Sequence, residues 1–408
     1  MHVLLIHQAF AGLDEAGGTR HIELARVLAK NGHRVTIIAS SVSYLSGKRS
    51  LYQQARWIER ETPEDGIMII RAYTYAAQHR SFFHRLIGFI SFMVSSFLAG
   101  LSVHNVDLVW GTSPPIFQGM TAWLLARLKR VPFLFEVRDL WPDFAIAVGV
   151  LKSPLLIAAS HWLEKFLYRH ADRVMVNSPG FIDHISQNGA KRIELVPNGS
   201  DPEMFDPDGN GNTFRAENGL DGKFLVTYAG AHGLSNDLGV VITAAQHLQN
   251  RENIHFVLVG DGKEKAALLE QAKALKLANI CFYPPVPKTQ MAEILAASDA
   301  CIAILKPLEL YKTTYPNKVF DYMAAGRPVL LAIDGVIRTV VETAGAGLFI
   351  QPGEPGALAE AVLFLEQNPT AARAMGTAGR TAVEKNFSRA VTARQFMQLL
   401  ENMERDNA

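Results

Sequence analysis

Short apolar runs alternate with longer stretches of helical spacing along most of the chain. Residues 3–8 are a run of strand length. Residues 19–31 follow with Ile22, Ala25, Leu28 and Ala29 at the spacing of one helix face. Gly32 then stands where a helix-ending glycine belongs. The same pattern predicts strands over 35–39, 67–71, 106–110, 133–137 and 174–177, and helices over 115–130 and 155–170. The stretch before 67–71 reads as a polar excursion. Leu195 and Val196 lead into Pro197-Asn198-Gly199, a turn tripeptide.

Residues 201–222 are polar and contain Pro202, Pro207, Gly209, Gly211 and Gly219, which reads as an interdomain linker. The alternation then restarts. Strands are expected over 225–228, 254–259, 280–283, 300–305 and 329–332, and helices over 238–248, 263–275, 290–297 and 318–325. From Pro355 onward the chain is mostly helical. Strand–helix alternation of this kind implies parallel sheets covered on both faces. The expected architecture is α/β, with two doubly wound Rossmann-like domains facing each other across a cleft. Ligands of such sheets bind at the carboxyl ends of the strands.

Composition narrows the function. A length of 408 residues fits two or three domains. Forty Lys and Arg against thirty-nine Asp and Glu leave a net charge of +1, without the basic footprint of a general nucleic-acid binder. Apolar residues at 49% are enough for large cores. Cys281 and Cys301 alone make neither a disulfide framework nor a multi-cysteine zinc site, and a reducing cytosol is the simplest compartment. The opening residues lack the basic region of a secretory signal. Residues 86–103 carry no formal charge, but Gly88, Ser91, Ser95, Ser96, Gly100 and Ser102 make them a poor membrane span. Arg80, His84 and Arg85, with Phe82 and Phe83, approach that segment in a way that suits an anionic membrane surface. A buried helix of a large domain is the alternative.

Candidate chemistry lies at strand ends. Gly17-Gly18-Thr19-Arg20 closes the loop after the first strand and opens a helix, where free N–H groups and close backbone approach suit a phosphate. A plain turn has the same composition, and the spacing is not that of a dinucleotide fold. Gly230, His232 and Gly233 follow the first strand of the second half, and Gly260-Asp261-Gly262 follow the next. His232, flanked by small residues, is a candidate ligand contact. Asp261 is equally a helix cap. Lys318 and Asp321 stand three apart after Pro316 and Asn317. They suit a diphosphate and a ribose, or else form a surface ion pair.

Taken in order, these motifs resemble family 4 of the glycosyltransferases. The match rests on Gly17 to Arg20, Glu136-Val137-Arg138-Asp139-Leu140-Trp141-Pro142, Asn198-Gly199 with Asp201 and Phe205, Tyr228-Ala229-Gly230, Gly260-Asp261-Gly262, and Asp321 to Pro328. Within that family the chain is most similar to the branch of N-acetylfucosamine transferases of bacterial surface-polysaccharide assembly, O-antigen included. The resemblance implies a GT-B fold. Residues 1–199 would bind the acceptor, residues 200–387 the nucleotide sugar, and a helix over about 388–408 would return to the first domain. It implies retaining, metal-independent transfer of a sugar, N-acetylated by branch habit, from a nucleoside diphosphate sugar to a lipid-linked saccharide. UDP is favoured by family habit, and no cofactor is implied beyond the donor.

The same resemblance places residues. Gly17, Gly18, Gly230, His232, Gly233, Gly260, Pro285, Asn317, Lys318 and Asp321 fall to the donor, Pro285 near the base and Asp321 near the ribose. Arg20 and Asp139 fall to the acceptor, and Asp139, Arg138 and Lys318 to catalysis. The implied enzyme is cytoplasmic and peripheral on the inner face of the cytoplasmic membrane.

Three positions depart from the family. Ala231, His232 and Asn236 stand where an arginine and a lysine are usual, which leaves Lys318 as the candidate cation. Thr313 replaces the first acid of the Glu-x7-Glu pair, with Glu309 out of register. Arg138 replaces a common histidine. The competing readings are another GT-B enzyme, a soluble-acceptor transferase or a nucleotide-sugar epimerase, and a non-catalytic nucleotide-sugar-binding subunit.

Overall fold

The computed structural model describes residues 1–15, 17–42, 57–76 and 82–407. It divides into two compact units. One comprises Met1–Gly12, Gly17–Pro197 and Ala393–Ala408; the other comprises Asn198–Thr392 with Leu13–Ala16.

The first unit holds an eight-stranded sheet: β1 (His2–His7), β2 (Arg34–Ser40), β3 (Ile58–Glu64), β4 (Ile67–Ala72), β5 (Leu108–Ser113), β6 (Phe133–Val137), β7 (Arg173–Val176) and β8 (Ile193–Leu195). Their spatial order is β3-β4-β2-β1-β5-β6-β7-β8, parallel except for β3, which runs antiparallel to β4. Chain order reverses between β1 and β5, so the carboxyl end of β1 lies at a switch point. All six residues of β1 are buried, as a central parallel strand requires. β3 occupies part of the expected polar excursion. Its sequence, Ile-Glu-Arg-Glu-Thr-Pro-Glu, is mostly charged because it is an edge, where charge and proline block further pairing.

The last helix, Arg389–Asn407, lays Phe396, Leu399, Leu400 and Met403 into the first unit's core. The Phe396 ring packs 4.7 Å from that of Trp110 on β5, and full burial of such a ring is worth about 2–3 kcal/mol. The apolar segment expected over 86–103 is a helix over Phe82–Leu101. Phe92, Ser95, Ser96 and Ala99 are buried, while Phe83, Ile90, Val94, Leu98 and Leu101 form an exposed stripe on the opposite side. It is the single helix among the described residues that is long and apolar enough to cross a membrane, and a third of it is buried.

The second unit holds β9 (Phe224–Ala229), β10 (Ile254–Val259), β11 (Ile280–Tyr283), β12 (Ala300–Ile304), β13 (Val329–Ala332) and β14 (Gly347–Phe349). They are all parallel, in the order β11-β10-β9-β12-β13-β14, with the switch point at β9 and β12. The linker expectation for 201–222 is corrected here. Phe205 and Leu220 are buried in this unit's apolar clusters, and Asn212–Glu217 is a short helix. The glycines and prolines of this segment shape packed loops rather than a free tether.

Candidate active site

At the carboxyl end of β9 the chain turns through Gly230. Lys318, near the start of the helix Asn317–Ala324, reaches that turn from the other side. Its Nζ donates to the Tyr228 hydroxyl at 2.7 Å and lies 3.9 Å from the Tyr228 ring centroid. The hydroxyl in turn donates to the Ala231 carbonyl at 2.7 Å. A β-carbon on Gly230 would come 2.7 Å from the ammonium, so only glycine leaves it in place. Burial pulls the Lys318 pKa down to about 7. Lys318 has no carboxylate partner among the described residues.

His232 is fully buried, and neither ring nitrogen has a hydrogen-bond partner among the described residues. The ring lies 6.0 Å from that of Tyr228 and 6.1 Å from that of Phe282. Burial, reinforced by Lys265 and Lys318, lowers its pKa to about 4, so it is a neutral imidazole at physiological pH. An unsatisfied buried donor costs about 1–3 kcal/mol. Such a group is tolerated where something outside the chain completes it.

Gly260 packs against this turn. A β-carbon there would collide with the Gly230 carbonyl and lie 3.3 Å from His232 Nε2. Gly260 is therefore required first by the contact between two strand-end loops. The family resemblance gives Gly260 to the donor, and the structure supplies a folding reason for it as well. Lys265 locks the same loops by donating to the Gly260 carbonyl at 2.6 Å and the Tyr283 carbonyl at 2.9 Å. Gly233 faces Asn236, and Pro285 is exposed in the loop after β11. Asp261 accepts from the N–H of Gly262 rather than capping the helix that starts at Lys265.

Asp321 lies one turn beyond Lys318 but the two do not pair. Its oxygens accept from Ser200 Oγ at 2.6 Å and Asn317 Nδ2 at 3.1 Å, with Lys288 Nζ at 3.4 Å. Asn317 Oδ1 is buried without a partner. Glu309 is exposed and bound to Lys312 at 2.8 Å, so it does not stand in for the acid missing at Thr313.

In the first unit, Gly17 and Gly18 precede the helix Arg20–Lys30, with Gly17 against Ala11 and Gly18 open. Arg20 is buried. It bonds Glu136 Oε1 at 3.0 Å and the carbonyls of Pro197 and Val196, both at 2.7 Å. His21 Nε2 meets the other Glu136 oxygen at 2.6 Å. Burial alone would raise the Glu136 pKa, but His21, Arg20 and Arg138 reverse this and hold it well below the carboxylate range. His7, at the end of β1, stacks 4.1 Å from His21 with both nitrogens unpartnered. Arg138, just past β6, donates to Thr112 Oγ1 at 2.9 Å and the Pro114 carbonyl at 3.1 Å. Burial raises the Asp139 carboxyl to about 6, against the pull of Arg138.

The structure thus brings Lys318, Gly230, His232 and Gly260 together, and separately Arg20, Arg138 and the Glu136 cluster. Tyr228, Lys265 and Glu136 are not among the site residues that the sequence predicts. Tyr228 and Glu136 lie inside the quoted motifs, but nothing in their spacing shows what their side chains meet. Among the described residues no group of three or more His, Cys, Asp or Glu is gathered to hold a metal ion.

Two Rossmann-like α/β units with these sheet orders define the GT-B class. A model of the glycosyl transferase 4-like domain matches residues 17–199, and a model of the glycosyl transferases group 1 matches residues 211–382. The chain belongs to family 4 of the glycosyltransferases. It is 24% identical over 383 residues to the Escherichia coli (strain K12) protein named for colanic acid biosynthesis, glycosyl transferase WcaI, covering 90% of this chain and 93% of that one. It is 27% identical to the D-inositol 3-phosphate glycosyltransferase of Nocardia farcinica over 69% of this chain and 63% of the relative. Among solved structures, sucrose-phosphate synthase from Thermosynechococcus elongatus superposes with a TM-score of 0.79 at 18% identity, covering 99% of each chain. Anabaena HepE in complex with UDP-glucose gives 0.73 at 16% identity, over 98% of this chain and all of that one.

Proposed function

We propose that this glycosyltransferase moves a sugar from a nucleoside diphosphate sugar to a lipid-linked saccharide in bacterial surface-polysaccharide assembly, retaining anomeric configuration and requiring no metal ion. The observation that carries this is Lys318: an ammonium with no carboxylate partner among the described residues, at the carboxyl end of β9, beside His232, whose ring nitrogens have no hydrogen-bond partner among them. A departing diphosphate needs its charge met by fixed donors, and Lys318, the Ala231 and Gly233 amides and the His232 ring N–H are candidates, the Gly230 and His232 amides already donating to the Val259 and Asp261 carbonyls. Asp321, steadied by Ser200 and Asn317, is the candidate for the ribose, and Pro285, exposed after β11, is the candidate for the base. Asp139 and Arg138 are assigned to the acceptor and the reacting sugar. Arg20 braces Glu136 behind them. Gly17 and Gly18 offer backbone amides to phosphate or acceptor.

In the step itself, the bond from the anomeric carbon to the diphosphate oxygen breaks. A bond from the acceptor hydroxyl forms on the same face, and the hydroxyl proton passes to the leaving phosphate. UDP is the favoured carrier, in keeping with HepE, solved with UDP-glucose, and WcaI supports the polysaccharide setting.

The exposed stripe of Phe83, Ile90, Val94, Leu98 and Leu101 is assigned to the membrane surface that carries the acceptor. The helices Phe82–Leu101 and Phe117–Lys129 carry no acidic residue, which suits anionic lipid. Arg80, part of the same expectation, lies outside the described residues.

A thermal-shift screen of nucleoside diphosphates followed by a transfer assay tests the reading. UDP at a hundred times its dissociation constant should stabilise by about 2.7 kcal/mol, and a UDP-sugar should label a polyprenyl-linked acceptor. Stabilisation without transfer to any lipid-linked acceptor, or transfer to a soluble sugar alone, would contradict it.

A further inference from the structure

A second charged site lies at the opposite edge of the first unit's sheet. Arg173 begins β7 and Arg192 immediately precedes β8, so both mark the amino-terminal edge, away from the strand ends where the transfer chemistry is placed. A cavity of about 420 Å³ there is lined by Arg127, Arg169, Arg173, Lys191 and Arg192, with Asp172 and Asp406 as its acids. All of these residues belong to the first unit.

Both acids are already engaged. Asp172 Oδ2 accepts the backbone N–H of Phe133 at 2.8 Å. Asp406 Oδ2 bridges Arg173 at 2.6 Å and Arg192 at 2.5 Å, and the hydrogen bond from Arg173 holds its carboxyl below the usual range. Arg169 and Lys191 have neither a carboxylate nor a hydrogen-bond partner among the described residues. Arg127 donates to the backbone carbonyl of His170 at 3.1 Å. Arg173 Nε is buried and unpartnered. Glu194 also accepts from Arg173 Nη1 at 2.6 Å, so the lining groups together with this partner carry two positive charges in excess. Solvent screens the exposed members of this group, and an anion entering the cavity would be met by several cations at once. Planar guanidinium forks match phosphate oxygens.

We propose that this cavity binds a phosphate-bearing ligand. Arg127, Arg169 and Lys191 supply the open charge, and Asp406 acts as an internal anion competing for Arg173 and Arg192. The same chemistry is offered by a soluble phosphorylated metabolite and by a phospholipid headgroup. Leu124 and Leu128, flanking Arg127 on its helix, are 38% and 61% exposed and give a lipid an apolar surface to sit beside.

Calorimetric titration of the full chain with inorganic pyrophosphate tests the site, comparing wild type with the Arg169→Gln/Lys191→Gln double variant. Pyrophosphate bound near Lys318 contributes equally to both proteins and cancels in the comparison. Wild type should bind one more pyrophosphate per chain than the variant, and Asp406→Asn should tighten that extra site several-fold. Co-sedimentation with phosphatidylglycerol against phosphatidylcholine vesicles separates the sources. A loss of at least fivefold in phosphatidylglycerol binding by the double variant assigns the headgroup, whereas unchanged vesicle binding with the pyrophosphate lost assigns a soluble ligand. Pyrophosphate stoichiometry and vesicle binding both equal in the two proteins overturn the proposal.

Discussion

The carboxyl edges of the two sheets handle charge in opposite ways. In the first unit the cation is answered: Arg20 pairs with Glu136, whose other oxygen meets His21, kept neutral by burial, and all three are buried. In the second, among the described residues, Lys318 bonds only a neutral phenol, and the ring nitrogens of His232 beside it have no hydrogen-bond partner. A buried pair that satisfies itself holds a fold in register and is costly to break. A cation held on a hydroxyl keeps its charge available, and burial tunes how readily it accepts a proton. The contrast marks the Glu136 cluster as a brace and the Lys318 turn as the place where an anion is expected.

The largest predicted effect lies on the brace. Glu136→Gln leaves Arg20 buried without its counter-charge and should destabilise the chain by about 3–5 kcal/mol in urea unfolding. A loss below about 1 kcal/mol would mean that the pair is not structural. Lys318→Ala should invert this outcome. Turnover is expected to fall about 10²–10³-fold, the size typical of a lost transition-state donor, with no fall in the unfolding midpoint, because the buried ammonium itself opposes folding. If instead both variants mainly lower stability, the distinction between the two edges fails.

A smaller effect concerns pH. Asp139 is raised to about 6 and Lys318 lowered to about 7. If the reaction uses ionised Asp139 and protonated Lys318, kcat/KM rises through the first value and falls through the second, giving a narrow bell. Asp139→Asn should erase the acid limb alone, and a limb that persists near pH 6 would point to another group. Linkage runs opposite ways for the two. The raised Asp139 stabilises the fold below its unfolded pKa, a contribution lost as pH climbs through about 6. The depressed Lys318 opposes folding below about 7, and that penalty fades as pH rises toward the ordinary lysine range. The smallest effect is expected for Tyr228→Phe, which removes the hydroxyl that steadies Lys318 and should lower kcat/KM by a few-fold.

The sequence reading succeeded where one force dominates. β1, β9 and β10 are mostly apolar runs, interrupted within by Thr227 in β9 and His255 in β10, because central parallel strands are buried on both faces. It failed where tertiary context overrides the pattern. β3 is charged like a loop because its neighbour lies on one side only. The helix Val336–Ala344 and three-residue β14 fell in a stretch left unread. Residues 201–222 have the composition of a tether, yet Phe205 and Leu220 anchor them.

At the site, Lys318 and His232 stood out through their setting near proline and glycine. The Tyr228 hydroxyl that receives Lys318 lies ninety positions away in the chain, and no spacing rule connects the two. Glu136 was visible inside a motif, but its burial between Arg20 and His21 depends on how the first helix packs against β6.

The most direct test is the proton balance of UDP binding at pH 8, measured by calorimetry in buffers of different ionisation enthalpy. With free Lys318 near 7 and its charge restored by a diphosphate, binding should take up close to one proton, and Lys318→Met should take up none. Tight UDP binding by the wild-type chain with no proton uptake would contradict the claim that Lys318 is the cation that meets the diphosphate.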